Sequence, residues 1–146
     1  MPNRQIKEKP SYLQGNRTQH ALLRRLTQIM LIIYGVVLFI NGVLFLAELS
    51  KFAGVDIVLY GAFTLGFFLL SFGLFKTAYH LILHELLWVK KGLIIMFWAI
   101  LPGILAPYVI FHSPLGFLWI IHLGYILLYF IVFLLLLTYN KWTGGL

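Results

Sequence analysis

The chain has 146 residues, of which 62% are hydrophobic and 10% charged, and its mean hydropathy of +0.96 leaves too little polar surface to cover a soluble core. The composition therefore indicates an integral membrane protein. The formal charge of +7 does not favour nucleic acid as a partner, because the basic residues cluster at the ends of apolar segments, where they anchor to anionic lipid. There are no cysteines, which excludes disulfides, thiol catalysis and iron–sulfur clusters.

Residues 1–25 are predicted to form a basic cytoplasmic tail. Prolines, a glycine and charges dominate residues 1–15, which show little apolar periodicity and are predicted to be flexible or to become ordered on a partner. Asn16 with Gln19 three positions later has the spacing of a helix start, which leads into the first apolar segment. No small-residue cleavage pattern closes that segment, so a cleaved signal peptide is not expected.

Four apolar segments are each long enough for the roughly 20 residues that a membrane-spanning helix needs. They cover residues 26–47, 53–75, 92–111 and 115–138. The links between the first and second and between the third and fourth segments are short. The sequence therefore predicts an all-α, polytopic membrane protein with four transmembrane helices arranged as two antiparallel hairpins. This membrane domain covers 26–142, and a short tail follows at 143–146.

Residues 76–91 are the only polar interruption in the apolar run from Phe52 to Thr138. On a helical projection, five polar side chains fall within an arc of about 120°: Lys76, His80, His84, Lys90 and Lys91. The pattern predicts a separate amphipathic connector helix at a lipid headgroup layer, with Trp88 beside the terminal lysines.

The distribution of basic residues predicts the orientation in the membrane. If the four spans alternate in direction, ten of the eleven Lys and Arg residues share one side, and only Lys51 lies on the other. The positive-inside rule then places both termini and the connector in the cytoplasm. We expect the spans to lie in the cell (inner or plasma) membrane of a microbe. The expected anchors to anionic headgroups are Arg24, Arg25, Lys76, Lys90 and Lys91.

A metal site at the connector is a weaker hypothesis. His80 and His84 are spaced i, i+4, so their rings project from one helix face, and metal sites use such pairs. The order of residues is not the H-E-x-x-H of zinc proteases, because Glu85 lies outside the pair. We interpret both histidines as part of a polar stripe and expect no metal.

Polar residues within the first span predict a packing face. Four of them recur every seven residues: Thr27, Tyr34, Asn41 and Glu48. Gly35 and Gly42 flank this stripe and allow another helix to approach closely. We expect Asn41 to hydrogen-bond to that helix, since an unpaired amide in hydrocarbon costs several kcal/mol.

In the fourth span, His122, Tyr125 and Tyr129 share one helix face. An ionisable residue inside a membrane is a functional-site hypothesis by default. The first hypothesis is a hydrogen bond to a neighbouring helix, and the second is a proton or solute pathway. The third is a bis-histidine haem b near the outer leaflet, with His112 as the second ligand.

The third span contains Pro102 and Pro107, each of which leaves a helical carbonyl without its partner, so a kink or break is predicted. A stripe of small residues in the same span favours close helix packing: Gly92, Ala99, Gly103 and Ala106. Ala62 and Gly66 in the second span form a second, weaker pattern of this kind.

Catalytic interpretations have little support, because the chain has only four acidic residues and no nucleotide-binding or hydrolase motif. The sequence predicts a non-enzymatic accessory or structural subunit of a larger membrane assembly, with another membrane protein or further copies of itself as partner and with no cofactor. The alternatives are a small oligomeric transporter or lipid flippase, and a haem- or quinone-binding membrane anchor.

Overall fold

The computed structural model describes residues 11–51, 53–83, 85–111 and 117–143. Side chains are described for 19–47, 49–50, 53–54, 57–83, 85, 87–101 and 123–143. Four long helices make up most of these residues: α1 (Ser11–Glu48), α2 (Val55–Ile82), α3 (Leu86–Phe111) and α4 (Phe117–Trp142). A single 3-10 turn, Leu49–Lys51, follows α1. The described chain is therefore all-helical, as its sequence predicts.

Three helices in the described part of the chain are long and apolar enough to cross a membrane. These stretches are Gln19–Ala47 in α1, Ile57–Ile82 in α2 and Leu123–Trp142 in α4. Their outward faces carry large apolar side chains, such as Phe72, which is 68% exposed in the isolated chain. So much outward apolar surface is suited to lipid. The expectation of a multi-pass membrane protein is confirmed to the extent that three helices have the length and apolarity to cross a membrane.

Each helix packs against its neighbours in the chain, and α1 also packs against α4, so the four helices close into a bundle. The contacts between α1 and α2 show the relative direction: Gly35 lies against Phe75, whereas Gly42, further along α1, lies against Phe68, earlier in α2. These two helices are therefore antiparallel. In the contacts between α2 and α3, and in those between α3 and α4, later residues of one helix likewise lie against earlier residues of the other. These two pairs of helices are therefore antiparallel as well.

The core follows a seven-residue repeat along each helix. In α2 one line of buried positions alternates in steps of four and three: Tyr60, Thr64, Phe67, Ser71, Leu74, Ala78 and Leu81. Thr77 is buried beside this line. The same steps occur in α3, at Val89, Gly92, Met96 and Ala99, and in α4, at Tyr129, Val132, Leu136 and Tyr139. A period of 3.5 residues keeps one seam of each helix facing the bundle axis and is typical of left-handed helix packing.

The start of α1 differs from the sequence prediction. The helix begins at Ser11, so residues 11–25 continue the first membrane helix, and Asn16 lies inside the helix instead of at its start. Between Ser11 and Asn16, Gly15 is the only residue that disfavours a helix, and glycine inside a helix costs only about 1 kcal/mol relative to alanine. That cost is too small to interrupt a helix that continues into a long apolar span.

Residues 76–91 do not form one separate helix in the structure. Residues up to Ile82 belong to α2, and α3 begins at Leu86. The physical reason is burial: Leu81 and Val89 both lie in the bundle core, and the chain must reverse between them to place both there. A single straight helix over 76–91 would carry one of them away from the core.

Of the kink or break predicted in the third span, the break is absent, because α3 is continuous through Pro102 and Pro107. The kink stays a prediction. A proline removes one helical hydrogen bond, but neighbouring helices and local adjustments allow membrane helices to tolerate that loss. The side chains of Pro102, Gly103, Ala106 and Pro107 lie outside the described ones.

Candidate functional site

Two of the helices predicted to carry polar stripes meet at a cluster of tyrosines inside the bundle. Tyr34 of α1 donates a hydrogen bond from its hydroxyl to the hydroxyl oxygen of Tyr125 in α4, at 3.1 Å. The ring centres of Tyr34 and Tyr125 are 5.6 Å apart, and those of Tyr34 and Tyr129 are 6.1 Å apart. Tyr34 is fully buried. We call Tyr34, Tyr125 and Tyr129 the tyrosine cluster.

The tyrosine cluster also reaches α3 through Tyr129. Its hydroxyl donates to the backbone carbonyl of Met96 at 3.0 Å in a buried hydrogen bond. Its ring lies parallel to that of Phe133, with the ring centres 6.0 Å apart. Every hydroxyl of the cluster therefore has a partner within the chain, and the cluster links α1, α3 and α4. Its chemistry is that of a packing contact, in which polar groups join helices across an apolar core.

The glycines of α1 create a close contact with α2. A Cβ atom added at Gly35 would lie 2.7 Å from Cε1 of Phe75, and one added at Gly42 would lie 3.0 Å from Cε1 of Phe68. Ser71 of α2 donates a buried hydrogen bond from Oγ to the carbonyl oxygen of Gly35, at 2.8 Å. The packing face predicted around these glycines is thus occupied by α2.

Ser71 is a residue that sequence reasoning missed. Its signal was the seven-residue spacing of Thr64 and Ser71, which continues at Ala78 and places all three on the buried seam of α2. Small residues at such positions let two backbones approach, and a serine can then reach the carbonyl of the facing helix.

Asn41 does not form the predicted hydrogen bond to another helix. Asn41 donates from Nδ2 to the carbonyl oxygen of Val37, one turn earlier in α1, at 2.9 Å. Short polar side chains inside helices commonly bond back to the preceding turn in this way. Tyr125 of α4 bonds to Tyr34 and not to Asn41. Thr27 also bonds within α1, to the carbonyl of Leu23.

The other predicted residues are either buried against another helix, open to the outside of the bundle, or outside the described part of the chain. Gly92 and Ala99 are buried, and a Cβ at Gly92 would lie 2.7 Å from Cγ2 of Thr77. Ala62 is exposed, and a Cβ at Gly66 would meet no atom within 4 Å, so this pair makes no close contact within the chain. His112 and the side chains of Glu48 and His122 lie outside what the structure describes, so the hypotheses for His122 stay predictions.

A second cluster lies at the turn between α2 and α3, and we call it the Trp88 cluster: Lys76, His80, Glu85, Trp88 and Lys91. Nδ1 of His80 lies 2.8 Å from Oε2 of Glu85. The His80 ring stacks on Trp88, with ring centres 4.2 Å apart and planes at 4°. The ammonium groups of Lys76 and Lys91 lie 5.0 Å and 4.4 Å from the centre of the Trp88 ring.

The backbone of the turn explains why these side chains meet. The amide of Glu85 donates to the carbonyl of His80, and the amide of Trp88 donates to the carbonyl of Glu85. The reversal carries Trp88 back over His80. Among the described residues no group of three or more acids or histidines is placed to hold a metal ion. His84 lies outside the described residues, so its role stays a prediction.

The remaining anchors gather at the same end of the bundle. Arg24 is half-buried and Arg25 is exposed on the early part of α1, and Lys90 is exposed near the start of α3. At this end the rings of His20 and Trp142 also meet, with centres 5.1 Å apart. Antiparallel packing therefore collects basic side chains from α1, α2 and α3 at one end, which we call the basic end.

Comparison with known proteins does not extend these observations. No protein-family model matches the chain, and neither a curated protein nor a solved structure was found to match it. Its function is therefore inferred from its own residues.

Proposed function

We propose that the protein is an accessory or structural subunit of a larger membrane assembly. The observation that carries this proposal is that polar groups buried inside the bundle are bonded to other groups of the same chain. Among the described residues, Nδ1 of His80 lies against the carboxylate of Glu85, and every other fully buried side-chain nitrogen or oxygen has a hydrogen-bond partner within the chain. A transport or catalytic site presents polar groups that a solute or substrate can bind. Here the polar groups of Tyr34, Ser71 and Tyr129 join helices. Others, such as the hydroxyl of Thr64, bond back within their own helix.

The proposed topology has four spans, with α3 as the span additional to α1, α2 and α4. The helices then form two antiparallel hairpins, and the turn between α2 and α3 lies in the cytoplasm with both termini. This orientation is supported by the basic end, because lysines and arginines near the ends of spans favour the cytoplasmic side. The membrane is the cell (inner or plasma) membrane, and anionic headgroups contact the basic end.

The outward face of α2 is where we place the partner protein. Ala62 is exposed there, and a Cβ at Gly61 or Gly66 would meet no atom within 4 Å. Small residues on a membrane helix let a second helix approach until the backbones are in contact. The partner we propose is therefore a transmembrane helix of another membrane protein, packed along this face.

Crosslinking in native membranes tests the proposal. A photo-reactive residue at Ala62 should label one larger membrane protein, whereas the same residue at Leu134, which is exposed on α4, should label mainly lipid. Gly66→Leu should release the labelled partner, because the new side chain blocks the approach of its helix. Gly124→Leu is the matched control, since it adds the same side chain at another open position.

Three outcomes would contradict the subunit proposal. A protein that migrates alone on native gels after mild solubilisation has no partner. A purified protein that moves a solute or lipid in proteoliposomes would support the transporter or flippase alternative. A Soret absorption band in the purified protein would support the haem anchor.

A further inference from the structure

We infer that the Trp88 cluster is a discrete binding site for the phosphate of one anionic membrane lipid, held between the ammonium groups of Lys76 and Lys91. This inference rests on the proposed topology, which places the basic end in a headgroup layer. It goes beyond general attraction to the membrane, because it assigns one lipid to one site.

The two lysines converge on the site from different helices. Lys76 comes from α2 and Lys91 from α3, and both ammonium groups lie within 5.0 Å of the centre of the same indole ring. The stacked ring of His80 supports that indole. Both lysine residues are exposed, so their charges are accessible from outside the bundle. Both charges therefore lie beside one indole ring at the surface of the bundle.

The charges of the two lysines are not balanced within the described chain. Of its four acidic residues, Glu48 and Asp56 belong to the opposite end of the bundle, where α1 ends and α2 begins, and Glu8 lies outside the described residues. Glu85 is close by, but its carboxylate lies against His80 at 2.8 Å. Two like charges held near one ring repel each other, and an anion between them removes that repulsion.

The surroundings of the lysines favour a lipid over a soluble anion. One turn toward the membrane centre from Lys76 is Phe72, and one turn in the same direction from Lys91 is Ile94. Both side chains are large, apolar and exposed. A phosphate bound at the lysines would therefore place its acyl chains along the surface between α2 and α3, beside these two residues.

The chemistry of the site also distinguishes between lipid classes. Ammonium groups form strong, charge-assisted hydrogen bonds with phosphate oxygens. A phosphatidylcholine headgroup brings its own cation, which the two lysines repel. Phosphatidylglycerol carries the same phosphate with a neutral glycerol, so we expect the site to select it.

The test uses the full-length protein, purified without a partner, in phosphatidylcholine nanodiscs that contain increasing fractions of phosphatidylglycerol. Native mass spectrometry should find one tightly retained phosphatidylglycerol per protein. Lys76→Gln with Lys91→Gln should weaken its binding about thirtyfold, because both charge-assisted hydrogen bonds to the phosphate are lost. Lys76→Arg with Lys91→Arg should keep binding within about threefold, because both charges remain.

The matched control removes two other charges from the same end. Lys90 and Lys141 are both exposed, and neither is part of the Trp88 cluster. Lys90→Gln with Lys141→Gln should weaken binding by less than about threefold, because these exposed charges form no hydrogen bond to the bound phosphate and are screened by salt. Equal losses in the two glutamine pairs would show general charge attraction and overturn the site. Competition by soluble glycerol 3-phosphate at the same concentration as the lipid would overturn the assignment to a lipid.

Thermal unfolding separates loss of the site from loss of the fold. In pure phosphatidylcholine, the glutamine pair should unfold at the same temperature as the wild type. Phosphatidylglycerol should raise the unfolding temperature of the wild type and leave that of the glutamine pair unchanged, because a ligand stabilises only the state that binds it. An equal rise in both would contradict the site. These measurements involve no protein partner, so they are independent of the test of the subunit role.

Discussion

Gly42→Leu should be among the most destabilising single substitutions in the protein, because α1 and α2 leave no space for a side chain at this position. A Cβ atom there would lie 3.0 Å from Cε1 of Phe68 and 3.3 Å from Cβ of Phe67. Overpacking costs about 1–3 kcal/mol where the surroundings can adjust, and a leucine on this face must push two backbones apart. We expect a large fall in the unfolding temperature in detergent. Gly35→Leu should be at least as severe, since it also separates Ser71 from its acceptor.

Two control variants show whether the effect is local to this contact. Gly66→Leu places the same side chain where no atom lies within 4 Å, so the purified protein should stay as stable as the wild type. Asn41→Leu removes only a bond within α1, and its effect should be close to the 0.6 kcal/mol or so that polar contacts average in membranes. If Gly42→Leu unfolds at the wild-type temperature, α1 does not pack here, and its polar stripe is a wet, solute-facing surface.

Tyr34→Ala should produce the second large effect. Tyr34 is fully buried and contacts both other members of the tyrosine cluster, so its removal leaves a cavity between α1 and α4. Truncation of a buried aromatic side chain to alanine costs about 3–5 kcal/mol. Equilibrium unfolding in mixed detergent micelles measures the change in the free energy of unfolding.

Tyr34→Phe separates the volume of this side chain from its hydrogen bond. This variant loses only the contact with the hydroxyl of Tyr125, which is worth roughly 0.6 kcal/mol and at most about 1.7 kcal/mol. Tyr79→Ala is the control for aromatic truncation, because Tyr79 is 59% exposed, and we expect little change. If Tyr34→Phe is as damaging as Tyr34→Ala, the hydroxyl contributes more than the packing of the ring, and the cluster is a polar site.

The spans of α1, α2 and α4 could be predicted from sequence because length and apolarity alone decide whether a helix can cross a bilayer. The reversal between α2 and α3 was not predictable in the same way. Its turn contains Leu83 and Glu85 but no glycine or proline, so local preferences do not mark it. The turn is set by the burial of Leu81 and Val89 in one core, which is a tertiary effect.

The members of the tyrosine cluster could be found from sequence, but their pairing could not. Periodicity places Tyr34 on the polar stripe of α1, and Tyr125 and Tyr129 on one face of α4. It does not give the register between the two helices, which decides that Tyr125 meets Tyr34 and leaves Asn41 to bond within α1. The stacking of His80 on Trp88 was missed for a related reason, since it exists only after the chain reverses.

Reporter fusions test the proposed four-span topology most directly. Alkaline phosphatase, which is active only outside the cytoplasm, should be inactive when it is fused after Leu146 and active when it is inserted at Lys51. Green fluorescent protein should show the reverse pattern, with fluorescence after Leu146. The expectation follows from the proposed four-span topology, in which ten basic residues would share one side of the membrane and Lys51 alone would lie on the other. Active phosphatase after Leu146, or inactive phosphatase at Lys51, would contradict a four-span protein with both termini in the cytoplasm.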